Sequence, residues 1–135
     1  MEDTIFAKII RRELPAEIVY EDEDTLAFLD IGPNSPGHTL VIPKSYARNV
    51  FDADAATWLS VMRTAHKLAP VIRTALGADG VNITSNHEPA AGQEVFHLHV
   101  HIIPRFSGDG FKFWPKKKYE DGEMHAVGEK IRAQL

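Results

Sequence analysis

The sequence predicts an α+β fold with a mostly antiparallel five-stranded sheet and two main helices, in the order α-β-β-β-α-β-β. Two observations support this prediction. Hairpin-length links join the apolar segments of the amino-terminal part, as is typical of antiparallel neighbours. Helical periodicity runs over residues 54–76 before apolar segments resume. Because no repeat or linker divides the chain, we expect one domain over 1–135, with a core at 1–105 and a C-terminal tail at 106–135.

The amino-terminal part contains one short helix and three strands. Asp3 or Thr4 can cap a helix over residues 5–12, and Leu14-Pro15 ends it, because the residue before proline is pushed out of the helical region. A rigid loop rich in glycine and proline precedes the third strand. The predicted strands span residues 18–20, 25–29 and 38–42.

The second part begins with the long helix at 54–76, in which Pro70 predicts a kink or an early break. Gly77 ends this helix. Two further strands are predicted at 81–84 and 95–103, the latter ending before Pro104, and a last helix is predicted at 121–135.

Composition excludes several classes of protein. A formal charge of −4 argues against non-specific nucleic-acid binding, which needs a basic surface. Cysteine is absent, so disulfides and thiolate zinc sites are excluded. No apolar run approaches the roughly 20 residues that cross a bilayer. The acidic start, residues 1–4, lacks the basic flank of a signal peptide, so we expect a cytoplasmic protein with neither a nucleic-acid nor a membrane partner.

A row of alternating histidines is the most informative feature. In the segment 96–103 (Phe-His-Leu-His-Val-His-Ile-Ile), Leu98, Val100 and Ile102 would face the core, since alternate residues of a strand share a face. His97, His99 and His101 would then line the opposite face, each about 6–7 Å from the next. Three histidines opposite a fully apolar face indicate a functional role.

Two kinds of chemistry suit such a row. Two neighbouring imidazoles could share a metal ion with a third ligand, for which His38 and His87 are candidates. Alternatively, a neutral imidazole could attack phosphorus while its neighbours neutralise the developing charge. The loop 86–93 favours the second use, because small residues let its backbone approach an anion, and Asn86 and Gln93 add neutral donors.

The histidine segment resembles the His-φ-His-φ-His-φ-φ signature (φ, apolar) of the histidine-triad nucleotide-binding proteins. Three further segments are also similar to that family: 3–10, 26–31 and 37–44. The resemblance runs from about residue 3 to residue 105. It implies an α+β subunit of the histidine-triad (HIT) type that pairs into a homodimer. It also implies hydrolysis of nucleoside phosphoramidates or related nucleotides through a covalent nucleotidyl-histidine intermediate. We expect purine nucleotides as substrates, with no cofactor and no metal.

The resemblance also implies a role for individual residues. His99 would be the nucleophile, His101 would bind the phosphate, and His97 and His38 would support them. The remaining positions match the phosphate loop (Asn86, Gly92 and Gln93), the ribose site (Asp30 and Ile31) and the slot for the base (Ile5, Phe6, Ile9 and Phe28).

Two departures from the family pattern bear on function. Thr4 and Ala7 stand where some members have a zinc-binding Cys-x-x-Cys pair, and Glu94 stands where serine or threonine is usual. A carboxylate beside a phosphate is repulsive unless it is protonated, turned away or facing a cationic leaving group. Three alternatives stay open at this point: a dinucleoside polyphosphate hydrolase, a nucleotide-binding interaction module with incidental activity, and a metal-dependent hydrolase.

Overall fold

Residues 3–135 are described by a computed structural model. Met1 and Glu2, part of the acidic start on which the prediction about a signal peptide rests, lie outside the described residues. The elements in chain order are α1 (Ile5–Ile10), β1 (Ile18–Glu21), β2 (Thr25–Leu29), β3 (Thr39–Pro43), α2 (Ala55–Leu76), β4 (Gly80–Thr84), a 3₁₀ turn (Pro89–Ala91), β5 (Val100–Arg105) and α3 (Glu123–Arg132).

The five strands form one sheet in the order β1-β2-β3-β5-β4, and every neighbouring pair is antiparallel. The predicted α+β class and element order are confirmed. Within residues 3–135, no helix is both long enough and apolar enough to span a bilayer.

Each face of the sheet packs against a different helix, because successive strand residues point to opposite sides. One face packs against α2, and this cluster contains Ala27, Val41, Val100 and Ile102 from the strands and Val61, Ala65, Leu68 and Ile72 from the helix. The other face meets α1, and this cluster contains Leu26, Phe28, Leu40 and Ile42 with Phe6 and Ile9. The histidines of the 96–103 segment that lie opposite Val100 and Ile102 therefore belong to the α1 side.

Helix α2 runs unbroken through Pro70, so the predicted early break is wrong. Asp54 accepts a hydrogen bond from the Thr57 N–H at the helix start, and Gly77 ends the helix in the left-handed conformation with φ of 64°. Pro70 lies on the exposed side, as does His66, whose carbonyl would normally bond to the residue at position 70. Water can bind that carbonyl, and packing of the buried side outweighs the lost bond.

Strand β5 begins and ends later than predicted. It spans Val100–Arg105 rather than 95–103, and Pro104 lies within it, paired with Val81 of β4. Pairing between β5 and β3 ends at Ile102, so the missing N–H of Pro104 costs no ladder bond on that side. Residues 95–99 precede the strand and are held otherwise, for example by the Leu98 N–H, which donates to the Ala47 carbonyl.

Candidate active site

A cavity of about 430 Å³ lies between α1 and the sheet face that α1 covers. Thr4 caps α1 by accepting a hydrogen bond from the Ala7 N–H. The helix borders the cavity because its apolar side packs against the sheet. The predicted residues that line this cavity are Ile5, Phe6, Ile9, Phe28, Asp30, Ile31, His99 and His101. The structure therefore brings together the residues predicted for the base, the ribose and the reacting phosphorus.

His99 is held as a neutral imidazole with a defined tautomer. Its Nδ1 lies 2.7 Å from the carbonyl oxygen of His97, and a carbonyl can only accept, so Nδ1 carries the proton. The lone pair is left on Nε2. Burial lowers the pKa of His99 most strongly, against the opposing effect of that carbonyl and of nearby Asp30. The edge-to-face contact with Phe6, at 5.1 Å between ring centroids, fixes the ring plane.

His97 lies behind His99 and is almost fully buried, with 1% of its surface exposed. Its Nε2 lies 3.1 Å from the Pro43 carbonyl oxygen, so Nε2–H donates and Nδ1 must accept. The donor to Nδ1 is the Thr4 hydroxyl, at 3.0 Å. Burial lowers the pKa of His97. Sequence reasoning identified Thr4 as a helix cap but missed this contact, since no local signal links positions 4 and 97.

A second series of hydrogen bonds gives His101 the tautomer opposite to that of His99. The Asn34 N–H donates to His38 Nδ1 at 3.1 Å, so His38 Nε2 carries a proton and donates to His101 Nδ1 at 2.9 Å. In the neutral ring the remaining proton of His101 then lies on Nε2. Burial, together with His99 and His38, lowers the pKa of His101 to about 4. His101 thus offers an N–H donor beside the lone pair of His99, with 4.9 Å between ring centroids.

The histidine row differs from the predicted geometry. His97 and His99 precede β5, so of the three only His101 lies on the strand, and the ring centroids of His99 and His101 are 4.9 Å apart rather than 6–7 Å. The prediction that Val100 and Ile102 enter the core opposite the histidines is confirmed. The difference arises because residues 95–99 are bound to neighbouring loops rather than to a strand: the Tyr46 hydroxyl donates to the Phe96 carbonyl, and the Ser85 hydroxyl to that of His99.

The predicted phosphate loop is rigid, but its members do not line the cavity described above. The buried Gln93 side chain already makes four hydrogen bonds within the protein: Oε1 accepts from the Asn49 amide and the Glu88 N–H, while Nε2 donates to the Arg48 and Val95 carbonyls. Its amide therefore holds the loop and is not a free donor, contrary to the predicted use. Asn86 lies 3.5 Å from the Gly92 carbonyl, and Gly92 adopts a φ of 86°, which favours glycine.

Glu88 anchors the same loop and was missed by sequence reasoning. Its backbone has a φ of 76° and ψ of 157°, a region that side-chain-bearing residues rarely adopt. Its carboxylate binds Arg48 at 2.8 and 3.0 Å and the Asn49 amide at 3.0 Å. These hydrogen bonds, above all those from the Arg48 guanidinium, lower the pKa of Glu88 to about 2. This ion pair holds the strained backbone at the turn before Gly92.

One group of side chains has the donor set of a metal site. Asp30, His38 and His101 each place one potential ligand atom within 4.8 Å of the others. His38, one of the two candidate third ligands, belongs to this group. His87, the other, accepts the Val50 N–H instead and contacts Trp58. The predicted absence of a metal stays a prediction.

Comparisons with known proteins identify the family. The HIT domain model matches residues 11–108. An uncharacterised HIT-like protein of Methanocaldococcus jannaschii is 48% identical over 106 residues, covering 78% of this chain and 81% of that protein. The purine nucleoside phosphoramidase of Escherichia coli is 39% identical over 103 residues, covering 76% and 87%. A crystal structure of a HIT-family protein from Bacillus subtilis superposes with a TM-score of 0.90 at 39% identity, covering 99% and 98%. The resemblance seen in the sequence is thereby confirmed, and the chain belongs to the HIT domain family.

Proposed function

We propose that the protein hydrolyses purine nucleoside phosphoramidates, or closely related nucleotides, at the phosphorus next to the nucleoside. The observation that carries the proposal is the hydrogen bond from His99 Nδ1 to the His97 carbonyl, since it leaves an unprotonated Nε2 on a ring that lines the cavity. The E. coli relative named as a purine nucleoside phosphoramidase supports the choice of substrate.

In the proposed reaction, His99 Nε2 attacks phosphorus and forms a phosphorus–nitrogen bond to the ring. The bond from phosphorus to the leaving nitrogen breaks, and that nitrogen takes up a proton and departs as an amine. The Nε2–H of His101 donates to a phosphoryl oxygen, where negative charge develops. Water then attacks the nucleotidyl-His99 intermediate, which yields a nucleoside monophosphate and the free imidazole.

The substrate would lie along the cavity with its phosphorus at the histidines. Asp30, whose Oδ1 accepts the Gly32 N–H, would accept the ribose hydroxyls with its other oxygen, next to Ile31. The base would enter the apolar slot made by Ile5, Phe6, Ile9 and Phe28. Asn86 and Gly92 would contribute to phosphate binding from the neighbouring loop, while Gln93 keeps that loop in place. The steps above need no metal ion.

Replacing His99 tests the nucleophile. We expect His99→Ala to lose turnover of an adenosine phosphoramidate and to form no nucleotide adduct when the protein is analysed by intact mass spectrometry after rapid acid quench. His66→Ala, at an exposed histidine of α2, is the matched control and should keep wild-type rates. A wild-type rate in the His99 variant would refute the mechanism.

A panel of substrates tests the reaction class with the same protein. Faster cleavage of dinucleoside polyphosphates than of phosphoramidates would favour the polyphosphate hydrolase. Tight binding of nucleoside monophosphate without turnover would favour an interaction module. Loss of activity on chelation, restored by a divalent metal, would favour the metal-dependent hydrolase through Asp30, His38 and His101.

We also propose that the protein forms a homodimer in which a second copy continues the sheet. In the described chain, β4 pairs with β5 on one side only, and Ile83 is 42% exposed. An edge strand with free main-chain groups can pair with another strand. Light scattering during size-exclusion chromatography measures the assembly, and a monomer at micromolar concentration would refute the dimer.

A further inference from the structure

The charges around the cavity are of one sign. Among the described residues that line it, Asp30 and Glu94 bear carboxylates, and none is lysine or arginine. His99 and His101 also line it, but burial lowers the pKa of both, so they are predominantly neutral at pH 7. The cavity therefore presents two negative charges and no full positive charge to a ligand.

This charge balance does not match a simple nucleoside phosphoramidate. Such a substrate carries one negative charge on its phosphoryl group, so binding adds a third negative charge to the site. Neutral N–H donors such as that of His101 can stabilise the phosphoryl oxygens, but they do not cancel the charge. A positive charge elsewhere on the substrate would correct the balance.

Glu94 is placed to act on such a charge. Its side chain is exposed and also lines the cavity, which puts it at the rim. Within residues 3–135, it takes part in no hydrogen bond or ion pair. Its charge reaches the nucleophile, because it is one of the groups that oppose the lowering of the His99 pKa by burial. Residue 94 follows the immobilised Gln93 directly, so its backbone position is fixed.

Unlike Glu94, Asp30 already has contacts within the protein. Its Oδ1 accepts the Gly32 N–H, its Oδ2 lies 3.8 Å from His38 Nε2, and it has a proposed role at the ribose. Glu94 is thus the carboxylate left for the part of the substrate beyond phosphorus. In an in-line displacement that part is the leaving group.

We propose that Glu94 is a specificity-determining residue that selects phosphoramidates whose amine leaving group carries a second, positively charged amino group. The proposal rests on the proposed phosphoramidase function. A carboxylate beside a phosphate is repulsive unless it is protonated, turned away or facing a cationic leaving group, and the third case is the one assigned to Glu94. The expected preference is about twofold to fivefold, as for one charge pair near a protein surface.

Two adenosine 5′-phosphoramidates of equal chain length test the proposal, one made from butylamine and the other from 1,4-diaminobutane through one nitrogen. The measured quantity is the ratio of kcat/KM values, diamine to butylamine, for the full-length protein. We expect a ratio of about two to five for the wild type, falling as sodium chloride is raised, because salt screens the charge pair. Glu94→Gln should bring the ratio close to one, mainly through slower cleavage of the diamine compound.

Glu23→Gln is the matched control, because Glu23 is an exposed carboxylate in the turn between β1 and β2 and does not line the cavity. It should keep the wild-type ratio. Glu94→Ser provides a second variant should the glutamine variant melt early. Cleavage of both compounds with equal kcat/KM, or a preference that survives in both Glu94 variants, overturns the role of Glu94 and leaves the phosphoramidase intact. Cleavage of neither compound by the wild type overturns both.

Discussion

Replacing Thr4 by alanine removes two hydrogen bonds, one that caps α1 and one that joins this helix to His97. The Thr4 hydroxyl accepts the Ala7 N–H at 3.0 Å, which caps the helix, and donates to His97 Nδ1 at 3.0 Å. Pro43 fixes the opposite nitrogen of His97 as the donor, so the ring cannot satisfy Nδ1 by changing its tautomer. The substitution therefore leaves a buried acceptor without a donor.

The expected loss of stability can be built from these two contacts. Losing a threonine cap costs about 1 kcal/mol. Leaving the buried His97 nitrogen unsatisfied costs at least about 1 kcal/mol more. The free energy of unfolding of the Thr4→Ala variant should therefore fall by about 2 kcal/mol. For a chain of this length, 1 kcal/mol corresponds to a Tm shift of about 3–4 °C, so Tm should fall by roughly 6–8 °C.

Activity should fall as well, because the His97 carbonyl orients His99. A ring free to tilt loses alignment with phosphorus, so we expect kcat for a phosphoramidate to drop about tenfold with little change in KM. Urea denaturation and initial rates measure the two effects. Thr4→Ser keeps the hydroxyl and should restore both quantities almost fully. The reasoning fails if the alanine variant melts with the wild type, or if the serine variant is as impaired as alanine.

Two further predictions concern the loop and the pH dependence of stability. Gln93→Ala should lower the free energy of unfolding by about 3 kcal/mol in urea titrations, because it removes four buried or part-buried hydrogen bonds at once, and an unchanged midpoint would contradict the assigned role. Burial lowers the folded-state pKa of His97, His99 and His101, that of His101 to about 4, so from about pH 6.5 downward, and for His101 to about pH 4, the unfolded chain binds more protons than the folded one. Stability should therefore decline as pH falls through this window, by up to about 1.4 kcal/mol per pH unit for each histidine, and urea titrations that are flat from pH 7.5 to 4.5 would disprove it.

The sheet and its two faces could be predicted because they follow from local patterns. Period-two alternation places Val100 and Ile102 on one face, and the period of 3.6 places Val61 and Leu68 on the buried side of α2. Residues whose partners lie far away in the chain escaped prediction. Pro104 is tolerated in β5 because β3 pairing has already ended, which is a property of three strands together.

In the candidate site, too, features set by local patterns could be predicted, and features set by residues far apart in the chain could not. The alternating motif pointed to His97, His99 and His101, of which the last two line the cavity, and the family resemblance added the apolar residues that line it with them. The Thr4–His97 contact could not be predicted, because it joins residues 93 positions apart through a side chain that already has a local explanation as a cap. Gln93 misled for a related reason: a polar residue in a loop suggests a ligand contact, but burial had committed its amide to the protein.

The two histidines that line the cavity have identical side chains, so their different proposed roles must come from their surroundings. Each tautomer is set by a main-chain group that can act in one direction only. The His97 carbonyl only accepts, so His99 keeps its proton on Nδ1 and donates it in a hydrogen bond to that carbonyl. The Asn34 N–H only donates, and through His38 it places the free proton of His101 on Nε2. The His97 carbonyl belongs to the histidine motif, whereas Asn34 lies in the loop before β3, so the tautomer of His99 is set within the motif and that of His101 from outside it.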